Sequence, residues 1–415
     1  MSKYFVFNYL FYLLIFVGFF LPTNNTFYIP LPGVLLKFNE LALLGLPIVN
    51  ELCRSKYSFR LRSKKLRLLS LSLLMLVLFN ELVLKSIVYS QAISDGVKSL
   101  RYALPLLVSL FLLFRGINTN IKNLYYVFII TILTSYLLSL ISLVYPLPIY
   151  YNLDNSEDVL SAFSGRLING NASFGLIGVY LLLKKCNSFF YEKKIYKAVY
   201  ILSIIILVMT FNRTFLAAIF VEVIILTFRS FNVKKAISAI FVGVIGIIVA
   251  FLLYNSNETI RKQIDKRILP ILTQEQSISE NAVQDSRQVI YDGVFRRLSE
   301  NYWIAGLDFK TKIFEIQRID GIYEASKTDI SFINILLRFG IVPLILYLIL
   351  LKRLYKLKLF FPLVLVVIML TSLNIDLLMN QNTIFFIVLY VSFINLNNIT
   401  NTRRIPNEER PKYAF

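Results

Sequence analysis

Apolar stretches long enough to cross a lipid bilayer recur along this whole sequence, and no other feature constrains the fold as strongly. A helix needs about 20 mostly apolar residues to cross the hydrocarbon layer, because lipid cannot satisfy backbone N–H and C=O groups. Only 16% of the 415 residues are charged, whereas a soluble domain carries roughly 25%. The sequence therefore predicts an all-α polytopic membrane protein of about twelve helices, counted as stretches of this length. The predicted spans are residues 4–21, 30–51, 68–89, 99–115, 124–147, 167–183, 198–212, 214–229, 236–254, 331–351, 359–378 and 383–399.

The distribution of basic residues predicts how the chain is oriented. The net charge of +20 lies mainly in every second connection between apolar stretches, which is the pattern of cytoplasmic loops. Both termini are then cytoplasmic, and the charge reflects membrane topology rather than nucleic-acid binding. The basic segments are residues 54–67, 115–122, 184–197, 229–235 and 352–358 and the tail from Arg403.

One outward-facing connection, residues 255–330, is much longer than the others and divides the chain. Residues 1–254 would form transmembrane helices 1–9, residues 331–399 would form helices 10–12, and residues 400–415 would form a cytoplasmic tail. Acidic and basic residues are nearly balanced in the long connection. Long translocated segments are exempt from the charge rule, so its lysines are compatible with an external position.

The long loop has the pattern of a folded segment with two amphipathic helices. The first is predicted between Asn257 and Pro270, and the second begins at a capping box that starts at Asp285. Val294 and Leu298 share one face of the second helix. The loop is either a lid that lies on the bilayer or a substrate clamp above a membrane cavity.

Two pairs of opposite charges fall within predicted spans. Lys37 lies one turn from Glu40, and Lys85 lies four residues after Glu81. A charged side chain inside a bilayer is costly unless it is paired. We therefore interpret both pairs as intramembrane ion pairs that orient helices.

Arginines recur at the predicted level of the outer leaflet. Singly, such residues are commonly interfacial side chains that reach toward water, but several at one depth indicate a basic pocket that faces outward. Guanidinium groups bind phosphate oxygens through paired hydrogen bonds and stay charged at physiological pH. The arginines at this level are Arg101, Arg166, Arg213 and Arg338, and Arg287 in the long loop can join them from above.

The composition also bounds the chemistry. The chain has no histidine, which excludes histidine acid–base catalysis and histidine metal ligation. The cysteines, Cys53 and Cys186, fall on the predicted cytoplasmic side and lack metal-ligand spacing. We therefore expect neither a disulfide nor a metal site nor a cofactor.

Four segments of the chain resemble those of O-antigen polymerases, the Wzy-type enzymes related to the O-antigen ligases. They cover about residues 160–345 and occur in the family's order. They are the Arg-Leu-Ile-Asn-Gly run from Arg166, the turn around Arg213 with Asn212 in place of the usual Ser, the Ser-Arg pair at Arg287 followed by Trp303-Ile-Ala-Gly, and the stretch from Asp329 to Arg338-Phe-Gly.

The resemblance implies a GT-C-like glycosyltransferase in the bacterial inner membrane. Such an enzyme would polymerise undecaprenyl-pyrophosphate-linked oligosaccharide repeat units on the outer face of that membrane, without a metal. By the same resemblance, Arg166, Arg213 and Arg287 would bind pyrophosphate, as the pocket argument indicates for Arg101 and Arg338. Asp329 is the candidate for positioning or deprotonating the acceptor hydroxyl; a solvated or helix-capping role explains it equally well.

Aromatic residues of the long loop complete the predicted site. Tyr302 and Trp303 suit either stacking on sugars or anchoring at the membrane interface. A separate chain-length regulator is a further expected partner, with the loop as its docking place.

Two rival functions stay open. Ligases of the same superfamily use a loop histidine near the last motif, where this chain has Thr328 and Asp329 instead, and this difference favours a polymerase. A lipid-linked oligosaccharide flippase or other transporter would spread its basic residues through a central cavity and lack a folded outer loop. A structural assembly subunit would leave the arginines individually dispensable.

Overall fold

The computed structural model describes several separate parts of the chain in detail. These are residues 3–20, 28–31, 34–53, 63–117, 291–318, 321–325 and 331–355, with isolated helical positions within 126–141 and 251–261. The predicted spans 167–183, 198–212, 214–229, 359–378 and 383–399 lie outside these residues. The described part is predominantly helical. The helices and strands of this described part are numbered in chain order.

The N-terminal region forms two helices joined through a hairpin. Helix α1 (Lys3–Phe20) lies at the first predicted span, and strands β1 (Tyr28–Leu31) and β2 (Val34–Lys37) pair in an antiparallel register before helix α2 (Phe38–Leu52). The prediction of a helix from residue 30 was therefore wrong at its start. Pro30, Pro32 and Gly33 are residue types that disfavour a helix in this part of the sequence.

Helices α1 and α2 pack against each other. Phe11 and Ile15 of α1 and Leu43 and Leu46 of α2 are buried. Helix α2 ends at Cys53, a free and buried cysteine. Burial raises the pKa of its thiol to about 11, because an apolar environment disfavours the thiolate.

The third predicted span is present as an unbroken helix from Lys64 to Tyr89. It consists of α3 (Lys64–Phe79), a π-helical turn (Asn80–Leu84) and α4 (Lys85–Tyr89). The Ser63 hydroxyl caps its start by accepting the Leu66 N–H. Its 26 residues are long and apolar enough to cross a membrane.

Two other predicted spans are broken in the structure. Residues 99–115 do not form one helix: α5 (Ile93–Tyr102) and α6 (Leu104–Arg115) meet at an angle of 77°. Pro105 lacks the N–H that would continue the α5 hydrogen bonds. The described residues thus contain one helix that can cross a membrane, or two candidates if the bent α5–α6 pair forms a single span.

The tenth predicted span is divided at Gly340. Helix α8 (Ser331–Phe339) ends there and helix α9 (Ile341–Tyr355) follows directly. Gly340 has a φ of +82°, in the left-handed region that no regular α-helix contains. The prediction of one continuous helix over 331–351 was therefore wrong.

The described end of the long loop is folded, as predicted. Helix α7 (residues 291–299) forms where the second loop helix was expected. Val294 is buried with Leu307, Ile313 and Leu337, and Leu298 packs against this cluster. The predicted buried face of the helix is thus confirmed from residue 291 onward, whereas Asp285 lies outside the described residues.

A second hairpin follows α7, formed by β3 (Phe314–Arg318) and β4 (Gly321–Ala325). Neither hairpin was predicted, so the all-α fold class needs this correction. Two residues separate the strands of each pair, Pro32-Gly33 in the first hairpin and Ile319-Asp320 in the second. Pro, Gly and Asp are residues that favour turns. The described fold is helical with two short antiparallel hairpins.

Candidate functional site

The predicted site residues divide between described and undescribed parts of the chain. Those that the structure describes are Arg101, Arg338, Tyr302 and Trp303. Those outside the described residues are Arg166, Arg213, Arg287 and Asp329.

Three of the described site residues, Arg338, Tyr302 and Trp303, lie at or beside the place where the long loop meets the apolar helices. We call this place the loop junction: the π-helical turn with Lys85, residues 303–309 of the loop, and residues 337–341 between α8 and α9. Asn80, in the π-helical turn, connects the other two parts. Its side-chain amide donates to the carbonyl oxygens of Ala305 (2.8 Å) and Phe339 (3.1 Å), which are 225 and 259 positions away in the sequence. One amide therefore holds both segments against the same helix.

The two segments also bond directly to each other through their backbones. The Ile341 N–H donates to the Trp303 carbonyl at 2.8 Å, and the Leu307 N–H donates to the Leu337 carbonyl. Gly306 and Gly340 sit at the closest approach, with φ angles of +81° and +82°. A Cβ at either position would overlap a backbone carbonyl of the opposite segment, so the approach requires glycine on both sides.

A buried ion pair lies beneath these backbone contacts. The side chains of Glu81 and Lys85 are both 0% exposed, and the Lys85 ammonium contacts a Glu81 carboxylate oxygen. This confirms the predicted pairing of the two residues. The same ammonium donates to the Arg338 carbonyl oxygen at 2.7 Å. Lys85 therefore joins the helix interior to the turn that carries a predicted site arginine.

Gln91 links the π-helical turn to the loop in a second way. Its amide nitrogen donates to the Glu81 carbonyl (3.3 Å), and its amide oxygen accepts the Phe309 N–H (2.8 Å). Gly96 of α5 approaches the same Glu81 carbonyl so closely that a Cβ would lie 2.5 Å from the oxygen. A π-helical turn, which is often found at functional sites, thus presents its backbone to two neighbouring segments.

Arg338 extends from the loop junction toward α5. Its Nε and Nη2 atoms donate to the Ser99 hydroxyl at 3.3 Å and 3.1 Å. Ser99 is two positions before Arg101 on α5, so the structure brings both predicted arginines to the same helix. It also places the cationic Lys85 directly behind the Arg338 backbone.

Arg101 is held by a carboxylate from α2. Its Nε atom donates to Glu40 at 2.8 Å, and both side chains are partly buried. Glu40 also accepts the backbone N–H of Lys37 at 3.0 Å. The sequence interpretation paired Glu40 with the nearby Lys37 alone. It missed Arg101, which is 61 positions away.

The two predicted aromatic residues have different surroundings. Tyr302 packs 5.5 Å from the Tyr89 ring, and the Arg297 guanidinium lies 5.9 Å from its ring centre. Trp303 is 41% exposed. Tyr302 therefore contributes to packing between the loop and the end of α4, while Trp303 keeps an accessible face.

The described arginines offer hydrogen-bond donors of a kind that binds oxyanions. No group of three or more Asp, Glu or Cys side chains within the described ranges is placed to hold a metal ion. The partly buried guanidinium groups of Arg101 and Arg338 are suited to oxyanions.

Sequence reasoning missed Asn80, Gln91 and Ser99, although a polar Asn next to a Glu in an apolar stretch was a usable signal.

No protein-family model matches this chain, and no curated protein sequence matches it either.

Proposed function

We propose that this chain is a membrane glycosyltransferase that polymerises undecaprenyl-pyrophosphate-linked oligosaccharide repeat units. Its product would be O-antigen or a related surface polysaccharide, made on the outer face of the bacterial inner membrane. The observation that carries the proposal is the contact of Arg338 with Ser99 on α5, the helix that also carries Arg101, where a folded loop joins an apolar helix of membrane-spanning length. A lipid-linked pyrophosphate is a substrate that requires both an apolar helix surface and guanidinium groups.

The proposed architecture is a GT-C-like bundle of about twelve spans, each about 20 residues long, with both termini cytoplasmic. The surface of the Lys64–Tyr89 helix supports it, because large apolar side chains there point outward. Leu68, Met75 and Ile87 are 60%, 58% and 73% exposed. Water disfavours such a surface, whereas lipid tails accommodate it.

In the proposed reaction, the growing chain leaves its carrier and joins the next lipid-linked unit. The bond between the anomeric carbon and the pyrophosphate oxygen breaks, and an acceptor hydroxyl oxygen forms the new glycosidic bond. Asp329 would take the hydroxyl proton. Arg338 and Arg101, with Arg166, Arg213 and Arg287, would stabilise the negative charge that develops on the leaving pyrophosphate.

The pairing of Arg101 with Glu40 defines how a phosphate would be accommodated. The carboxylate already occupies part of the guanidinium edge, so a phosphate at Arg101 would compete with Glu40. Arg338 donates to a neutral hydroxyl, which competes more weakly with a charged oxyanion than a carboxylate does.

The decisive experiment is a gel of surface polysaccharide from cells that lack this gene. Collapse of the ladder to a single-repeat band is the expected result. Loss of all repeats, with lipid-linked units retained inside the cell, would instead establish a flippase. Long chains that accumulate on the carrier lipid would establish a ligase.

Arginine substitutions test the site itself. Arg338→Ala should abolish long chains while the protein still inserts, as judged by its abundance in membranes. Arg296→Ala is the matched control, because Arg296 is exposed and pairs only with Glu300 on its own helical turn. Equal ladders from both variants would contradict the role of Arg338.

A further inference from the structure

We infer that the loop segment around Trp303 and Ile304 enters the bilayer and that these two side chains contact the acyl chains of the lipid. The leaflet is the one opposite the basic start of the Lys64–Tyr89 helix, which is the outer leaflet in the proposed topology. This contact requires that the helix crosses the membrane, and it does not depend on the reaction proposed above. The sequence alone allowed either sugar stacking or membrane anchoring at Trp303.

The loop meets the helix well below its outer end. The Ala305 carbonyl accepts the Asn80 amide at 2.8 Å, and the stretch from Asn80 to Tyr89 is about 14 Å of helix at 1.5 Å per residue. A crossing of about 20 residues that begins after the basic side chain of Arg67 ends near Ile87, so Asn80 lies inside it. The loop segment that bonds to Asn80 is therefore at the level of the lipid rather than above it.

The backbone of this segment has the hydrogen bonds that such a depth requires. Lipid offers no hydrogen-bond partners, so non-helical backbone inside a membrane needs partners from the protein or from water in a cavity. The Ile304 N–H donates to the Asn301 carbonyl at 3.2 Å, and the Gly306 N–H donates to the Tyr302 carbonyl at 2.8 Å. The Trp303 carbonyl accepts the N–H of the first residue of α9. The protein thus supplies these partners itself.

The side chains of the segment are apolar and lie beside helix surfaces that are also apolar and exposed. Residues 301–307 contain no charged side chain, and Trp303 and Ile304 are 41% and 55% exposed. Val342, next to the residue that bonds to Trp303, is 52% exposed, and Ile87 at the end of the spanning helix is exposed as well. Water disfavours such a surface, and an indole ring is commonly found where protein meets the lipid boundary. Lipid that covers the helices therefore also covers the two loop side chains.

Fluorescence of the wild-type protein tests the contact directly, because Trp303 is the only tryptophan in the sequence. The full-length protein is placed in phosphatidylcholine nanodiscs with or without dibrominated acyl chains, which quench rings that touch lipid. Iodide in the buffer quenches rings that face water. We expect a several-fold loss of emission in brominated lipid and little change with iodide. Trp303→Phe combined with Ile304→Trp should give the same pattern.

Two matched variants move the tryptophan to reference positions in the Trp303→Phe background. Ile87→Trp should be quenched by brominated lipid, and Arg296→Trp, at an exposed ion-paired position of the loop, should be quenched by iodide. Quenching of the wild type by iodide alone would overturn the inference and place Trp303 on a water-facing surface, as sugar stacking requires. Emission that neither quencher changes would also overturn it, because protein would then cover the ring. The gene-deletion gel decides separately whether the chain polymerises.

Discussion

The two parts of the helix from Lys64 to Tyr89 differ in what surrounds them. In α3, the first part, Leu68 and Met75 point outward, and the Ser70 hydroxyl donates to the Leu66 carbonyl of the same helix. In the second part, beginning at the π-helical turn, Asn80 and Lys85 bond to backbone groups more than 220 positions away. Both parts expose apolar side chains, but only the second part receives the folded loop.

The difference shows how an apolar helix can carry buried charge. A lone ammonium or carboxylate is unfavourable inside a low-dielectric environment, and it is retained where it has a partner and a further acceptor. Lys85 has both, in Glu81 and the Arg338 carbonyl. The charged pair is thus confined to the part of the helix that the loop covers.

The largest expected effect comes from removing one charge of the buried pair. Lys85→Met leaves the Glu81 carboxylate without its counter-ion, and we expect a loss of about 3–5 kcal/mol in the free energy of unfolding. The double variant Glu81→Gln with Lys85→Met should recover most of that loss, because no charge remains buried. Unfolding in mixed detergent micelles, run as a double-mutant cycle, measures both. A double variant as unstable as Lys85→Met alone would show that the charge itself is unimportant.

The glycine contact between the loop and the α8–α9 turn should be nearly as sensitive. Gly306→Ala and Gly340→Ala each combine a left-handed backbone angle with overlap of a carbonyl, for an expected loss of about 3 kcal/mol. Gly18→Ala is the control, because a Cβ there would make only ordinary contacts at 3.5 Å and beyond. The midpoint temperature of its thermal unfolding should match or exceed that of the wild type. Wild-type stability of both loop-junction variants would contradict the described approach.

A smaller effect separates the two faces of α3. Leu73 is 1% exposed and Leu68 is 60% exposed, so Leu73→Ala creates a cavity and Leu68→Ala does not. We expect about 1–2 kcal/mol for Leu73→Ala, less than in a soluble core, because lipid removes most of the water-transfer contribution. Equal unfolding midpoints in detergent for the two variants would show that α3 lacks a packed face.

The smallest effect concerns the loop side of the junction. Arg297 donates to the Lys312 carbonyl at 2.9 Å and lies against Tyr302, whereas the exposed Arg296 side chain pairs with Glu300. Arg297→Ala should cost about 1 kcal/mol, and Arg296→Ala much less, because an exposed pair contributes little. Limited proteolysis of the loop in the intact protein reports the difference. Faster cleavage in Arg296→Ala than in Arg297→Ala would reverse this assignment.

The hairpins and helix breaks mark where sequence reasoning failed. An apolar window does not distinguish a straight helix from two helices that meet at Gly340 or Pro105, because hydropathy is summed over both. The start of α2 was misplaced for the same reason. Residues 34–37 are mostly apolar, like the residues of a membrane-spanning helix, but they form a strand. Helix α7 was predicted well from residue 291 onward because the spacing of Val294 and Leu298 is local.

The candidate site divides in the same way. The pairing of Glu81 with Lys85 was predictable, since residues four positions apart on a helix are neighbours. The contacts of Arg338 with Ser99 and of Arg101 with Glu40 were not, because they join residues 239 and 61 positions apart. The spacing between such distant residues in the sequence follows no helical or strand period.

By itself, the sequence determined the apolar helix from Lys64 to Tyr89, the folding of the loop around Val294, and the need for a partner at Lys85. Each follows from local physics: hydrophobic length, helical spacing and the cost of burying a charge. Only the tertiary structure decided that Asn80, Gly306 and Gly340 fasten the loop to that helix and that Ser99 receives Arg338. These contacts form only when distant parts of the backbone approach to within hydrogen-bonding distance. A local pattern of residues does not show which distant segments will meet.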